Sequence, residues 1–275
     1  MPLNSVNTNT GAMIALQNLN AINREYAEVQ NRLATGLKVA GPKDNPAIWA
    51  IAQNMRAEFK SLDAVKNSLQ RGQAIADTAM TAAESISDIL GQMKEKALAA
   101  TEAGLSTATR QALNDEYVAL RKQIDTIANN AVFDGINLIS AGSTGAVRAL
   151  ANTDATATIN IDHVDLSTTG SAISGTLTDL LGGVATADIA AIEAASQKVS
   201  SALSKIGVGA RALDRQFEMS SKLQDNYEAG IGNLVDADMA KEAARLAAIE
   251  VKQQLALEAL RIANQAPSYL LALFR

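Results

Sequence analysis

The chain has 275 residues, 48% of them hydrophobic but only 3% aromatic, with no cysteine and a formal net charge of −5. That length suits one or two domains with a sizeable core. The acidic balance and the scatter of Lys and Arg exclude the basic footprint of a nucleic-acid binder and a membrane-surface patch, and the missing cysteines exclude disulfides and thiolate metal sites.

The apolar residues are mostly Ala, Leu, Ile and Val. A core poor in large rings suits long helices packed side by side. No run of about 18 apolar residues occurs, so no membrane-spanning segment is expected. The first ten residues lack the basic and apolar regions of a secretory signal peptide, so export would need another route.

In chain order, the spacing first predicts a helix over about residues 5–35. Leu16, Leu19, Asn23, Tyr26, Gln30, Leu33 and Leu37 recur at intervals of three and four, and Ala15, Ile22 and Val29 form a second stripe beside them. Two stripes suggest two neighbours. Asn is a mediocre helix former and is frequent here, so the helix is marginal alone and depends on partners. Gly36, Gly41 and Pro42 punctuate the chain. Asn45 then offers an N-cap, with Pro46 in the first helical position.

The strongest pattern begins there. Ile48, Met55, Leu62, Leu69, Ala76, Ala83, Leu90 and Ala97 form an unbroken heptad series. Ile51, Val65, Ala79, Ile86 and Met93 form the other seam, interrupted by Glu58 and Gly72. This reads as a long coiled-coil helix. A shorter helix is expected from about Thr107 to Ala131, and Phe133-Asp134-Gly135 turns the chain. From about 136 to 186 the composition shifts to Ser, Thr, Gly, Asp and Ala. There the alternation of Ala157, Ile159, Ile161 and His163 with polar residues predicts a strand within a small hairpin region. Heptads resume in Ile192, Val199, Ile206 and Leu213, with Ile189, Leu203, Ala210, Phe217 and Ile231 on the other seam and Ser196 and Gln224 interrupting it. The expected helix spans about 188–230, followed by a loop near Gly230–Asp236. A last helix carries Met239, Ala243, Leu246, Ile249, Leu257 and Leu260 on one face and is interrupted by Pro267. The plan is nearly symmetric, and folding back at the middle pairs each N-terminal helix with its C-terminal counterpart. The fold class is mainly α: long antiparallel helices and coiled coils, with a small β-hairpin region.

Catalytic chemistry finds little support. His163 is the only histidine, and Asp162 and Asp165 beside it fall short of the convergent ligands a metal site needs. Gly207-Val208-Gly209 lacks the remainder of a phosphate loop and reads as a helix irregularity. Asp236-Ala237-Asp238 lacks the rest of a calcium loop and reads as a helix N-terminal cap. No cofactor or metal is expected, and the chain is not expected to be an enzyme.

Several segments carry a family resemblance. At the N-terminal end they are Asn7-Thr8-Asn9, Leu16-Gln17-Asn18-Leu19-Asn20, Asn31-Arg32-Leu33-Ala34-Thr35-Gly36-Leu37, Lys43-Asp44-Asn45-Pro46-Ala47 and Phe133-Asp134-Gly135-Ile136-Asn137-Leu138. At the other end they are Asp236-Ala237-Asp238-Met239-Ala240 and Ala263-Asn264-Gln265-Ala266-Pro267, followed by Leu270 to Arg275. Together they resemble bacterial flagellin over roughly residues 1–140 and 190–275, in a short form without large outer domains.

The resemblance implies a structural subunit that polymerises into the flagellar filament for swimming motility, with a hook–filament junction protein as the alternative. It implies an extracellular filament reached by type III export. It also implies self-association as a helical homopolymer, open to sibling flagellins, with an export chaperone, filament cap and hook-junction proteins as partners and neither nucleic-acid binding nor membrane insertion. Residues 1–40 plus 236–275 would form a terminal-helix filament-core domain, and residues 41–235 a helical bundle with the β region. The expected self-assembly residues are Leu16, Leu19, Leu33, Leu37, Met239, Leu246, Leu257, Leu260, Leu271 and Phe274. Candidate O-glycosylation sites are Thr153, Thr156, Ser167, Thr168, Thr169, Ser171 and Ser174, with a plain solvated loop as the other reading. Some flagellins are recognised by a Toll-like receptor; at the matching positions Gln92 and Lys96 depart from the family and Glu116 agrees, so weak recognition is expected.

Overall fold

The computed structural model describes the backbone of residues 8–142, 145–168, 180 and 185–272 and, apart from residues 185–187 and 266–272, their side chains. The chain is mainly helical: α1 (Thr10–Thr35), α2 (Pro46–Ala100), α3 (Thr107–Asn130), β1 (Val132–Phe133), β2 (Ile136–Asn137), β3 (Val147–Leu150), β4 (Thr158–Ile161), α4 (Ala185–Val235) and α5 (Met239–Ala272). The two strand pairs are antiparallel, β1 with β2 and β3 with β4.

Local chemistry sets the boundaries. Asn45 caps α2, its Oδ1 accepting from the Ile48 N–H at 3.1 Å, and Ser106 caps α3 by accepting from Thr109. Asp134 and Gly135 both adopt positive φ, 49° and 77°. A two-residue hairpin turn needs that conformation, and an Asp-Gly pair supplies it at low cost.

Contacts divide the chain into two units, residues 1–57 with 226–275 and residues 58–225. In the second unit the heptads close a core. Leu62, Leu69, Ala76, Ala83, Leu90 and Ala97 are all buried, as are Val65, Ala79, Ile86 and Met93 of the other seam. Ile192, Val199, Ile206 and Leu213 of α4 join them, with Tyr117 and Ile124 of α3.

Three of the seam interruptions, Glu58, Gly72 and Gln224, and Gly209 of the helix irregularity have specific uses. Gly72 and Gly209 seat the β3–β4 hairpin. A Cβ on Gly72 would meet Val147 Cγ1 at 3.1 Å and Ala149 Cβ at 3.3 Å, and one on Gly209 would meet Ile161 Cγ1 at 2.6 Å. Glu58 accepts from the Thr153 hydroxyl at 2.9 Å. Gln224 uses both ends of its amide: Nε2 donates to Asp63 Oδ1 at 2.5 Å and to the Phe59 carbonyl at 3.3 Å. Its Oε1 accepts from Lys66 at 3.1 Å. A buried polar side chain with such a partner set fixes one register between α2 and α4. His163 faces the Ser140 carbonyl through Nε2 at 2.8 Å. No cluster of three metal-ligating side chains occurs among the described residues.

Two sequence expectations are corrected. The loop near Gly230 is absent: α4 runs on to Val235, and only Asp236–Asp238 separate it from α5. Gly230 is there for space, since a Cβ would stand 2.7 Å from Met55 Cε. Nor does Pro267 end the last helix, which continues to Ala272.

Candidate assembly surface on the terminal helices

The first unit is built around the antiparallel pair α1 and α5. Gly36 ends α1 in the left-handed conformation (φ 71°), its N–H bonding to the Arg32 carbonyl. Backbone bonds from Lys38 to the Val235 carbonyl (2.6 Å) and from Ala237 to the Gly36 carbonyl (2.9 Å) then clip the exit of α1 to the entry of α5. Asp238 caps α5, accepting from the Lys241 N–H at 3.1 Å. A small cluster of Val39, Ala52 and Val235, with Leu37, Ile48, Trp49, Ile231 and Leu234 packed against it, closes this end.

The seam between the helices draws on both stripes of the sequence. On α1 the seam positions are Ala12, Ala15, Leu19, Ile22, Tyr26, Val29 and Leu33, all buried or half-buried, with Glu25 and Arg32 half-buried beside them; on α5 they are Glu242, Leu246, Ile249, Gln253, Ala256, Leu260 and Ala263. Both sets follow the alternating three-and-four spacing of a coiled-coil seam. Polar pairs flank it: Arg245 with Glu25 at 2.8 Å, Arg32 with Glu242 at 3.5 Å, and Gln253 with Asn23 at 2.8 Å. The Arg245 hydrogen bond holds the Glu25 carboxyl below its ordinary pKa, and Glu25 in turn raises that of Arg245. Glu242 is 8% exposed, and its Oε2 has no hydrogen-bond partner among the described residues.

Of the expected assembly residues, Leu19, Leu33, Leu246 and Leu260 face this internal seam, and Leu37 packs at the clip. Leu16, Met239 and Leu257 are exposed. The side chain of Leu271 and all of Phe274 lie outside the described residues. The sequence reading missed Met13, Ile14, Val251, Leu255 and Ile262, which are also exposed. The available signal was that α5 carries apolar residues on every side. A helix of that kind is normally buried all round. Between α1 and α5 runs an open groove of 640 Å³ lined by Gly11, Ile14, Ala15, Asn18, Ala21, Ile22, Lys252, Leu255, Ala256, Ala259 and Ala263.

The other named positions lie in the second unit. Ser167 is 1% exposed, its hydroxyl donating to Asp165. Thr168 donates to Asp125 at 2.6 Å. Thr153 donates to Glu58. Thr156 is exposed, its hydroxyl accepting from Asn152. Thr169, Ser171 and Ser174 lie outside the described residues. Gln92 is exposed, while Lys96 pairs with Glu116 at 2.6 Å, which raises the Lys96 pKa.

These features fit a structural subunit: one unit with a buried helical core, and another built on a helix pair that leaves large apolar side chains exposed. The chain matches the family model for the bacterial flagellin N-terminal helical region over residues 6–144 and that for the C-terminal helical region over residues 189–274. It is 48% identical to flagellin FljK of Caulobacter vibrioides, with 100% of each chain covered. It is 33% identical to a flagellin of Brucella melitensis, covering 98% of this chain and 99% of that one. The crystal structure of Bacillus cereus flagellin superposes with a TM-score of 0.51 at 24% identity, over 56% of this chain and 88% of that one, a likeness of fold. The chain belongs to the bacterial flagellin family and is a structural subunit that polymerises into the flagellar filament.

Proposed function

We propose that the filament outside the cell grows by covering the outer faces of α1 and α5 with further copies, residues 1–40 and 236–275 acting as the filament core and 41–235 as the self-supporting bundle. The observation that carries this is the set of large apolar side chains left open on two helices: Met13, Ile14 and Leu16 on α1, and Met239, Val251, Leu255, Leu257 and Ile262 on α5. Val251, Leu255 and Ile262 recur at spacings of four and seven on one side of α5, and grouped exposed apolar side chains of this kind mark an interaction site. The same reading assigns no catalytic role. It takes as partners an export chaperone binding the C-terminal part, the filament cap and the hook-junction proteins, and leaves room for sibling flagellins. For O-glycosylation, Thr156 is the favoured described position, because the neighbouring hydroxyls are buried or engaged by carboxylates; an unchanged intact mass of native filament would count against it.

The test is seeded growth of purified protein in salt, read by negative-stain microscopy. The wild type should form long filaments. Leu255→Asp, at a side chain 65% exposed, should keep the helicity of the soluble subunit and stop growth. Filaments of ordinary length from Leu255→Asp would refute the assignment of this face.

A further inference from the structure

We infer that Asn9 and Pro267 form a pin between the two terminal helices, in which the Asn9 carboxamide replaces the hydrogen bond that the proline removes from α5. In an α-helix each N–H bonds to the carbonyl four residues earlier. Residue 267 is proline and has no N–H, so the Ala263 carbonyl has no donor of the usual kind within its own helix. The helix nevertheless continues to Ala272. The missing donor comes from the other helix: Asn9 Nδ2 donates to the Ala263 carbonyl at 2.7 Å.

The same side chain is the N-cap of α1, its Oδ1 accepting from the Ala12 N–H at 3.0 Å. The two bonds fix the orientation of the amide. Turning it over would set its NH2 against the Ala12 N–H and its oxygen against the Ala263 carbonyl, two like-with-like contacts.

The pin supplies what the seam here lacks. At this end the facing positions Ala12, Ala15, Ala256 and Ala263 are small and alike, with Leu260 the one large side chain among them, so packing alone discriminates poorly between registers. Slipping α5 by one residue moves the acceptor about 1.5 Å along the axis and about 100° around it, and the bond is lost. A single polar contact of this kind can select a register that apolar contacts leave open. The cap of α1 and the proline of α5 are thus a matched pair, and Asn9 is a positioning residue for the helix that builds the filament core. The pin's part in assembly rests on the filament reading above.

The test is a double-mutant cycle of Asn9→Ser and Pro267→Ala, read as the critical concentration for seeded filament growth. Ser is as good a cap as Asn but does not replace the donor. Asn9→Ser alone should raise the critical concentration roughly fivefold, about 1 kcal/mol for one lost hydrogen bond. With Pro267→Ala, residue 267 regains an N–H for the Ala263 carbonyl, and Asn9→Ser should then cost less than about twofold. Equal penalties in both backgrounds would overturn the pin and leave Asn9 as a cap only. A second measurement does not depend on growth: in isotope-labelled subunits, soluble or polymerised, the Asn9 side-chain nitrogen should lie within about 4 Å of the Ala263 carbonyl carbon. A clearly longer separation overturns the pin. Failure of the wild type to form filaments, with that distance short, would count against the filament reading alone.

Discussion

Replacing Gly209 by Ala sets two effects against each other. Gly inside a helix costs about 1 kcal/mol relative to Ala, so the substitution should stabilise α4 if nothing else changed. Yet the new Cβ would lie 2.6 Å from Ile161 Cγ1 and 2.9 Å from its Cδ1. Ile161 is 3% exposed and paired with Val147 in the hairpin, so it has little room to withdraw. Overpacking of this kind costs about 1–3 kcal/mol. Gly207 is the control, since a Cβ there would meet only Met80 Sδ at 3.9 Å, an ordinary contact. Gly207→Ala should therefore stabilise by about 0.5–1 kcal/mol, and Gly209→Ala should fall below it by about 1–3 kcal/mol. Hydrogen exchange of the buried α4 amides between Val199 and Leu213 reads this locally, without assuming that the whole chain unfolds in one step. Ile161→Ala should recover much of the loss when combined with Gly209→Ala. If Gly209→Ala and Gly207→Ala protect these amides equally, the hairpin does not rest on α4 as described.

Gln224→Ala should lower the stability of the second unit by about 1–2 kcal/mol, since it leaves the Asp63 and Lys66 contacts unmade; urea unfolding followed by tyrosine fluorescence measures it, and an unchanged midpoint would remove the register role. Glu25→Gln addresses acid sensitivity. The Glu25 pKa is lowered in the folded state, so its contribution is present above the unfolded carboxyl pKa of about 4.3 and is lost as pH falls through the lower folded value. Exchange protection of α1 should thus fall less for Glu25→Gln than for the wild type on acidification through that window, and parallel curves would refute the role of the Arg245 pair. Receptor activation by purified subunits should be weak if the sequence expectation at Gln92 and Lys96 holds, and Lys96 already engages Glu116; a potent response in reporter cells would contradict this.

Much of the fold was legible because it is governed by period. Every heptad position from Leu62 to Ala97 is buried, and the caps at Asn45 and Asp238 follow from side-chain oxygens placed before helix starts. Where local signals misled, a distant contact had the larger effect. Gly230 reads as a stop by propensity alone, but its missing Cβ makes room for Met55. Pro267 reads as an interruption, but an amide far away in sequence satisfies the carbonyl it leaves unpaired. On α1 the apolar pattern admits two stripes, and the internal seam takes members of each. Leu16 and Leu19 are the same residue type three positions apart, yet Leu19 is 9% exposed and Leu16 is 49% exposed. Hydrophobicity marks both for burial and does not distinguish a site filled by the same chain from one filled by another copy.

That distinction separates the two units. In the second, large side chains such as Leu69, Ile86, Leu90, Met93, Tyr117 and Ile206 are fully enclosed, so the heptads meet their partners within one chain. Along α1 and α5, helices of 26 and 34 residues, the buried hydrophobic side chains among the described residues are Leu19, Val29 and Ile249. Helices take most of their stability from packed faces rather than from intrinsic propensity. A pair with so thin a seam, held in register by polar contacts such as Asn9 with Ala263 and Arg245 with Glu25, gains little of that packing internally. On the assembly proposed above, other subunits cover the apolar faces it leaves open, and order in these helices should then rise with growth of the polymer through the same side chains.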